Sequence, residues 1–238
     1  MKGASYLLDC YTCEFDATVA NVKDGKFVVL DHTYFYPTGG GQPHDTGKIT
    51  TNDGTSYNVA FVGKFDGAIS HELDRPGLKE GDKIHGIIDW DRRYKHMRMH
   101  TAAHVFSNVI EKEAGALITG NQLGLEQSRI DFSLENFDRE KMKEYEGHAN
   151  RIVSEAHPVH WHLLPRAEAE ARVERLSTLA KGFSPDIREV RLVEIEDFAI
   201  EACGGTHLKN TSEIKGIRIT KVDNKGAKNR RVYFELAE

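Results

Sequence analysis

The sequence predicts an α+β fold in which a small N-terminal β-barrel is followed by an α+β domain that holds a metal site. Turn-forming Asp-Gly pairs and short alternating runs fill the first 89 residues, whereas apolar residues at helical spacing begin soon after residue 90. The length of 238 residues exceeds the usual size of one domain, about 100 to 200 residues. We therefore expect two domains, residues 1–89 and residues 90–238.

The first 89 residues show the signals of successive β-hairpins. Type I′ turns need a positive φ at both central residues, which Asp-Gly supplies readily. Apolar or alternating runs, such as residues 26–30 and 57–62, lie between these turns and are typical of strands. Several hairpins at this spacing predict a small barrel. Three Asp-Gly pairs occur in this part of the chain: Asp24-Gly25, Asp53-Gly54 and Asp66-Gly67.

A long amphipathic helix is predicted over residues 94–114, which contain no Gly or Pro. Its apolar residues are three or four positions apart, as the core-facing side of a helix requires. Those residues are Met99, Ala103, Phe106 and Ile110.

A second helix is predicted over residues 138–156, with Asn136 or Asp138 as its N-cap and His157-Pro158 at its end. The remaining elements follow from alternation and turn residues. They are strands over residues 128–132, 159–164 and 190–195, a short helix from Pro165 to Leu176, and a hairpin over residues 214–236 with its turn in residues 224–229.

Composition and charge exclude several classes of protein. The start of the chain has no apolar segment of secretory length, and no run approaches the roughly 18 apolar residues of a membrane span, so we expect a cytoplasmic protein. The net charge of −5 excludes a uniformly basic surface. However, residues 209–231 hold eight Lys and Arg side chains and only two acidic ones, Glu213 and Asp223, so this segment could bind a polyanion locally.

Three cysteines are too few for a disulfide framework. For the Cys10-x-x-Cys13 pair we favour ordinary thiols near a strand over redox or metal chemistry.

Two pairs of side chains together predict a metal centre. His100 and His104 lie four residues apart in the first predicted helix and therefore on the same face. Cys203 and His207 have the same spacing in a Cys-Gly-Gly-Thr-His string, whose glycines allow the backbone to turn both side chains towards one point. Each pair alone could be ordinary surface or core residues, but jointly they are the thiolate and imidazole ligands that zinc prefers. Thr101 follows His100 where a metalloprotease would have Glu, so that class is disfavoured.

A glycine-rich run over residues 35–47 is the second unusual feature. Gly39, Gly40 and Gly41 allow either a very tight turn or close approach of the backbone to a ligand, and the alternative is a flexible hairpin loop. The flanking aromatic residues and the polar side chains that follow favour a functional loop. Its spacing does not match a phosphate-binding or dinucleotide-binding fingerprint. The polar side chains are Gln42, His44 and Asp45.

These motifs, in this order, resemble the free-standing alanyl-tRNA editing proteins, which are similar to the editing domain of alanyl-tRNA synthetase. The resemblance rests on Arg92-Arg93, His100-Thr101-Ala102-Ala103-His104, the Cys203 to His207 string and residues 229–234. The glycine-rich segment, residues 37–47, further resembles the longer members, which carry a β-barrel before the editing domain. A complete synthetase is excluded because no aminoacylation domain fits before residue 90.

The resemblance implies an editing domain over residues 90–238 with Zn²⁺ bound by His100, His104, Cys203 and His207. It implies hydrolysis of misacylated tRNA(Ala), chiefly the seryl form, with the glycyl form as a second candidate. Thr119 is similar in context to a family threonine that senses the serine hydroxyl.

Other candidate roles come from the residues themselves. No carboxylate base is evident in sequence beside the ligands, so we expect Gln42, or else His44 or Asp45, to contribute to catalysis from the first domain. Gly39, Gly40 and Gly41 are expected to bind substrate through their backbone, and Arg230 through its charge. Zinc could activate water, polarise the ester carbonyl or hold the amino acid in place.

Two other functions are compatible with the motifs. One is a tRNA- or RNA-binding module with a purely structural zinc, which a closed metal site would favour. The other is a metal-dependent hydrolase of small esters or amides, for which the basic C-terminal segment would have little use.

Overall fold

The computed structural model describes residues 3–135, 138–173 and 187–237, which divide into two compact units, Met1–Lys95 and His96–Glu238. The first unit contains a closed six-stranded barrel, so the predicted barrel is confirmed. Its strands are β1 (Glu14–Lys23), β2 (Phe27–Leu30), β3 (Gly47–Thr51), β4 (Ser56–Phe65), β5 (Ala68–Leu73) and β6 (Lys83–Ile88). They pair in the order β1-β2-β5-β4-β3-β6, and β6 closes the barrel on β1. That residues 1–89 and 90–238 are separate domains, each able to fold alone, stays a prediction.

The three Asp-Gly pairs join neighbouring antiparallel strands, as predicted: β1 to β2, β3 to β4, and β4 to β5. Asp24 and Gly25 both have positive φ, 52° and 72°, as a type I′ turn requires. Asp66 and Gly67 have the same pattern, with φ of 49° and 80°. Between these turns, burial alternates along the strands because every second side chain points into the barrel.

The second unit combines helices with two antiparallel sheets. The helices are α1 (Trp90–Ala114), which begins earlier than predicted, α2 (Arg139–Ser154) and α3 (Arg166–Arg172). Asp138 caps α2 by accepting from the Glu140 backbone N–H, whereas the alternative cap Asn136 lies outside the described residues. The predicted end of the short helix, Leu176, also lies outside them. The strands are β7 (Ile118–Gln122), β8 (Ser128–Phe132), β9 (Val159–Pro165), β10 (Glu189–Ile195), β11 (Ala199–Ala202), β12 (Ile217–Asn224) and β13 (Arg230–Leu236).

The two sheets have the strand orders β11-β10-β9 and β12-β13-β8-β7. The C-terminal hairpin is confirmed as β12 and β13, while β7 and β11 were not predicted. Helix α1 packs on the four-stranded sheet, where the Phe106 ring lies 6.1 Å from those of Phe132 and Phe234. The predicted apolar positions of α1, from Met99 to Ile110, are all buried.

Strand β12 is an edge strand whose outer backbone groups are partly bound by α2. The Asn150 side chain accepts from the Ile217 N–H at 2.8 Å and donates to the Ile217 carbonyl at 2.8 Å. The Glu146 carboxylate accepts from the Ile219 N–H. Part of this edge is therefore already hydrogen-bonded within the chain. Among the helices of the described residues, none is long and apolar enough to cross a membrane.

Candidate metal centre and glycine-rich loop

Four side chains of the second unit converge as the sequence predicts. His100 and His104 come from α1, and Cys203 and His207 from the loop that follows β11. Their ligand atoms lie within 4.8 Å of one another. The Cys203 Sγ is 3.4 Å from Nε2 of His100 and 3.3 Å from Nε2 of His207. A tetrahedral zinc with ordinary Zn–S and Zn–N bonds would separate these atoms by about 3.6 Å, so the donor set fits a zinc ion.

Gly205 brings the loop flat against the ring of His100. A Cβ at this position would lie 2.0 Å from Cε1 and 2.3 Å from Nδ1 of His100, which no side chain could tolerate. At Gly204, by contrast, a Cβ would meet open space. The close approach also lets the Gly205 N–H donate to the Cys203 sulfur at 3.3 Å. Only the second glycine of the pair is therefore required by packing at the centre.

Arg191 holds the same loop from β10. Its Nη1 donates to the carbonyls of Cys203 and Gly205, both at 2.9 Å, and its own carbonyl accepts from the Cys203 N–H at 3.0 Å. The side chain is only 6% exposed, and its guanidinium lies 5.4 Å from the Trp161 ring centroid. A buried guanidinium with fixed acceptors sets the path of the ligand loop.

Two further polar side chains contact the ligands directly, and sequence reasoning missed both. Glu201 on β11 lies 2.7 Å from Nδ1 of His104. The Thr101 hydroxyl lies 3.2 Å from Nδ1 of His207. A signal was present for Glu201, since it lies only two residues before Cys203 in an otherwise apolar tetrapeptide, but β11 itself was not predicted.

Charge within the cluster favours a thiolate. Burial opposes ionisation of Cys203, but the three histidines outweigh it and lower the pKa of the thiol well below its usual range. Burial likewise opposes a charged His104, but the Glu201 carboxylate and the Cys203 sulfur raise the pKa of His104 to about 10. Burial, followed by the neighbouring His100, lowers the pKa of His207 well below its usual range. Without a metal ion, the cluster therefore places a thiolate beside a protonated imidazole. A cation bound there would be coordinated by the thiolate and would displace the proton from the metal-facing imidazole nitrogen.

In the first unit, the glycine-rich loop is a tight, hydrogen-bonded turn. The N–H of Gly39 donates to the Gln42 carbonyl at 3.1 Å, and the N–H of Gln42 donates to the Gly39 carbonyl at 2.9 Å. Gly40 and Gly41 have φ of 57° and 86°, so they occupy the left-handed region that favours glycine. The Tyr36 hydroxyl donates to the Gly39 carbonyl at 2.8 Å. Hydrogen bonds within the barrel unit therefore hold the loop in this conformation.

A buried ion pair fixes the far end of this loop. Asp45 accepts the Tyr36 N–H at 2.7 Å and bonds the guanidinium of Arg93, with Nε to Oδ2 at 2.9 Å. Arg93 also donates to the Cys10 carbonyl, and neither member of the pair is exposed. These contacts give Asp45 a structural partner. They do not test the catalytic role expected of Gln42, which is itself buried, or the substrate contacts expected of the glycines.

The other predicted site residues lie on the four-stranded sheet and its connections. Thr119 occupies a bulge of β7, where the register against β8 shifts, and its hydroxyl donates to the Asn229 side chain at 3.0 Å. Arg230 is 8% exposed and donates to Asn224 Oδ1 and to the carbonyls of Gly226, Asn229 and Glu135. Its guanidinium therefore holds the β12–β13 turn, and its role towards substrate stays a prediction.

Cys10 and Cys13 are reduced thiols. Cys10 is buried, with its Sγ 3.5 Å from the Tyr6 carbonyl, and Cys13 lies just before β1. Within the described residues they belong to no cluster that could hold a metal ion.

Most cations of the basic C-terminal stretch have acidic neighbours. Arg231 bonds Asp131 through Nε and Nη2, at 2.7 and 2.8 Å. On the surface, Lys228 lies 2.7 Å from Glu135, and Lys225 lies 3.9 Å from Asp223. These exposed pairs are weak and exchangeable, unlike the partly buried Arg231 pair.

Comparisons with known proteins agree with these features. The family described as "Threonyl and Alanyl tRNA synthetase second additional domain" matches residues 190–233, and "tRNA synthetases class II (A)" matches residues 8–92. The chain is 63% identical over 245 residues to the alanyl-tRNA editing protein AlaX-M of Methanosarcina mazei, covering 100% of this chain and 98% of that protein. It is 40% identical over 233 residues to AlaX-M of Saccharolobus solfataricus, covering 97% of each. The alanine–tRNA ligase of Pyrococcus abyssi is 40% identical over 237 residues, 98% of this chain but 26% of the ligase.

Proposed function

We propose, from the premise that this chain belongs to the AlaX-M family of alanyl-tRNA editing proteins, that it acts in trans as a hydrolase that deacylates misacylated tRNA(Ala). The chain matches these relatives from end to end but only about a quarter of the ligases, in keeping with editing by a separate protein. The observation that carries the proposal is the convergence of His100, His104, Cys203 and His207 in a chain of this family.

We take the metal to be zinc. One thiolate and three imidazoles form a borderline-soft donor set, and the two Sγ–Nε2 distances of 3.4 and 3.3 Å are close to those of tetrahedral coordination. When bound, zinc supplies a Lewis acid that binds and polarises oxygen or nitrogen atoms of the substrate. An ester is already an activated bond, so correct placement of the substrate and of a water molecule can provide much of the rate enhancement.

The chain's own residues provide that placement. Arg191 and Gly205 keep the ligand loop against α1, so that the cluster is formed before substrate arrives. The substrates that we propose are seryl-tRNA(Ala) chiefly, and glycyl-tRNA(Ala). We assign Thr119 to recognition of the serine hydroxyl, Gln42 to catalysis, and Gly39, Gly40, Gly41 and Arg230 to substrate binding.

A direct test is release of amino acid from tRNA(Ala) charged with serine, glycine or alanine, with and without a chelator. We expect the seryl ester to be hydrolysed fastest, and we expect activity to be lost with the metal and restored by added zinc. The four-donor set leaves no open tetrahedral position, so the substrate would bind zinc as a fifth ligand or in place of one weakly bound ligand. The rival function is a tRNA-binding module with a structural zinc. That rival predicts retained tRNA binding with no hydrolysis of any of the three esters.

The specificity proposal can be tested with Thr119→Val, which keeps the shape and removes the hydroxyl. A site that hydrogen-bonds a substrate hydroxyl loses that interaction selectively. We expect hydrolysis of seryl-tRNA(Ala) to lose about one to three kcal/mol of transition-state stabilisation. Hydrolysis of glycyl-tRNA(Ala) should change little, and zinc content should be retained. Equal slowing of both substrates, measured as kcat/KM, would assign Thr119 to its bond with Asn229 instead.

A further inference from the structure

The geometry points to Glu201 and Thr101 as positioning residues that hold the rings of His104 and His207 with Nε2 towards the metal centre. The inference rests on the zinc site proposed above and adds two residues to it, neither of which is a ligand. Both contact Nδ1 of a ligand histidine, at 2.7 Å for Glu201 and 3.2 Å for Thr101. A neutral imidazole binds a metal through one nitrogen only, so a partner on the other nitrogen selects the tautomer and the ring orientation.

Glu201 reaches His104 because of the alternation of β11. Ile200 and Ala202 point to one face of the sheet and pack against the apolar cluster that includes Ala169 of α3. Glu201, between them, must point to the opposite face, where it is 6% exposed. An ionised carboxylate can only accept a hydrogen bond, so Nδ1 of His104 carries the proton. The lone pair of His104 is then on Nε2.

A buried carboxylate here also balances charge. Removing an ionised group from water is costly unless it is paired. His104 provides the hydrogen bond, and a divalent ion held by Cys203 and the three rings would provide the compensating charge. A carboxylate on the distal nitrogen makes a ligand imidazole more basic and thereby strengthens its bond to the metal.

Thr101 positions His207 from the neighbouring place on α1. Its hydroxyl oxygen accepts from the backbone N–H of Leu208 at 3.1 Å, which anchors it to the chain just after His207. The same oxygen can accept from Nδ1–H of His207, leaving the lone pair of His207 on Nε2, the atom that faces the Cys203 sulfur at 3.3 Å. Helix α1 thus supplies two ligands and the partner of a third. Thr101, which stands where a metalloprotease would have Glu, therefore has the role of positioning His207.

The test is zinc affinity, measured on the full chain by competition with a chromophoric chelator. We expect zinc to bind about 10- to 100-fold more weakly to Glu201→Ala and to Thr101→Val than to the wild type. Glu201→Gln keeps an acceptor oxygen without the charge and should recover part of the affinity, whereas Thr101→Ser keeps the hydroxyl and should recover most of it. Glu194→Gln is the matched control, because Glu194 contacts a part-exposed histidine, His162, at 3.1 Å on the opposite face of the same sheet from Glu201. It should bind zinc like the wild type.

The outcomes separate this inference from the proposed function. A wild-type protein that binds no zinc removes the zinc site and this inference with it. A wild type that binds zinc, together with Glu201→Ala and Thr101→Val that bind it equally well, overturns the positioning roles alone. Unchanged zinc affinity with slower ester hydrolysis in Glu201→Ala would make Glu201 a reacting base, which also contradicts the inference.

A second measurement needs no variant and so does not depend on how a variant folds. Nitrogen-15 NMR of the zinc-loaded wild type reports which imidazole nitrogens carry protons. We expect a proton on Nδ1 and none on Nε2 for both His104 and His207. A proton on Nε2 of either ring would overturn the assignment for that ring.

Discussion

At the scale of single residues, the metal centre requires a position without a side chain as well as four ligand side chains. Gly205 carries no Cβ, and the His100 ring occupies the space that a Cβ would need. Gly204, its neighbour, has no such constraint. Packing therefore requires glycine at position 205 and not at position 204, and substitutions can distinguish the two.

We expect Gly205→Ala to lose most of its zinc, because the added carbon must displace the His100 ring or the loop that carries Cys203. Gly204→Ala should keep about one zinc per chain, since its Cβ meets no atom within 4 Å. Elemental analysis of the two purified variants measures the difference directly. Full zinc content in Gly205→Ala would contradict the close approach described here.

A second residue, His71, makes the barrel sensitive to acid. It is fully buried, with Nδ1 2.9 Å from the Val28 carbonyl and Nε2 2.9 Å from the Thr33 hydroxyl. Because a carbonyl only accepts, Nδ1 carries a proton. Burial disfavours a second proton on Nε2, so the ring is neutral. Burial lowers the pKa of His71 from 6.5 to about 4, with the bond to Val28 opposing the shift.

The unfolded chain therefore binds a proton at His71 at a higher pH than the folded chain does. Stability is lost as the pH falls from about 6.5 to about 4, by about 3 kcal/mol over the whole window. In His71→Gln, whose amide can still donate to Val28, this part of the pH dependence should vanish. Urea unfolding between pH 7 and pH 4.5 compares the slopes, and equal slopes in the two proteins would refute a neutral His71.

At the scale of elements, the spacing of apolar and turn residues was sufficient to predict the helices and hairpins that a local pattern determines. The three- and four-residue spacing from Met99 to Ile110 identified α1 and placed two ligands on one face. The turn at Asp24-Gly25 follows from positive φ in type I′ turns. Short strands such as β7 and β11 could not be predicted, because four or five residues with Gly or Glu among them have little alternation of their own. Glu201 was missed for that reason.

The β12–β13 turn allows the tRNA footprint to be tested without disturbing the fold. Arg230 donates to three acceptors of this turn and to the Glu135 carbonyl, so its substitution would alter the loop itself. Lys225 and Lys228 are exposed, and their weak pairs with Asp223 and Glu135 can yield to phosphates.

Replacing Lys225 and Lys228 with Gln should weaken tRNA(Ala) binding and reduce the slope of log affinity against log salt by about two. The double variant Lys48→Gln, Lys79→Gln is the matched control, because both lysines are exposed on the barrel unit, and it should leave the slope unchanged. Binding would be measured at several salt concentrations. A slope in the turn variant equal to that of the wild type would exclude these two lysines from the footprint.

At the scale of the whole molecule, the chain has two units, and all four proposed ligands belong to one of them. The barrel could be predicted as a class but its strand order could not. Placing β5 between β2 and β4 depends on pairings between distant residues, for example Val28 with His71, that no local pattern encodes. The two pairs of ligands are about 100 residues apart in the sequence. They could be assigned to one site only because imidazole and thiolate groups bind the same metal ions.

Metal removal tests whether the two units are independent. A ligand that binds only the folded state stabilises it by mass action, by about 4 kcal/mol at a thousandfold excess over Kd. We expect zinc to increase amide hydrogen-exchange protection of β8 and β13, while Val28 and Val62 of the barrel stay unchanged. Cys203→Ala should show no zinc effect in either unit. An equal gain in the barrel would show that the units unfold together.

The bonds from α2 to the edge of β12 also bear on what happens when many copies of the chain meet. An open strand edge is a template on which another molecule can add a strand, and such additions propagate into aggregates. Asn150 occupies both polar groups of Ile217, and Glu146 occupies the N–H of Ile219 with a negative charge beside it. A second chain arriving at this edge would find the polar groups of Ile217 and the N–H of Ile219 already hydrogen-bonded, and would have to displace the Glu146 carboxylate. The contacts that dock α2 on the sheet thereby also block strand addition at the start of β12.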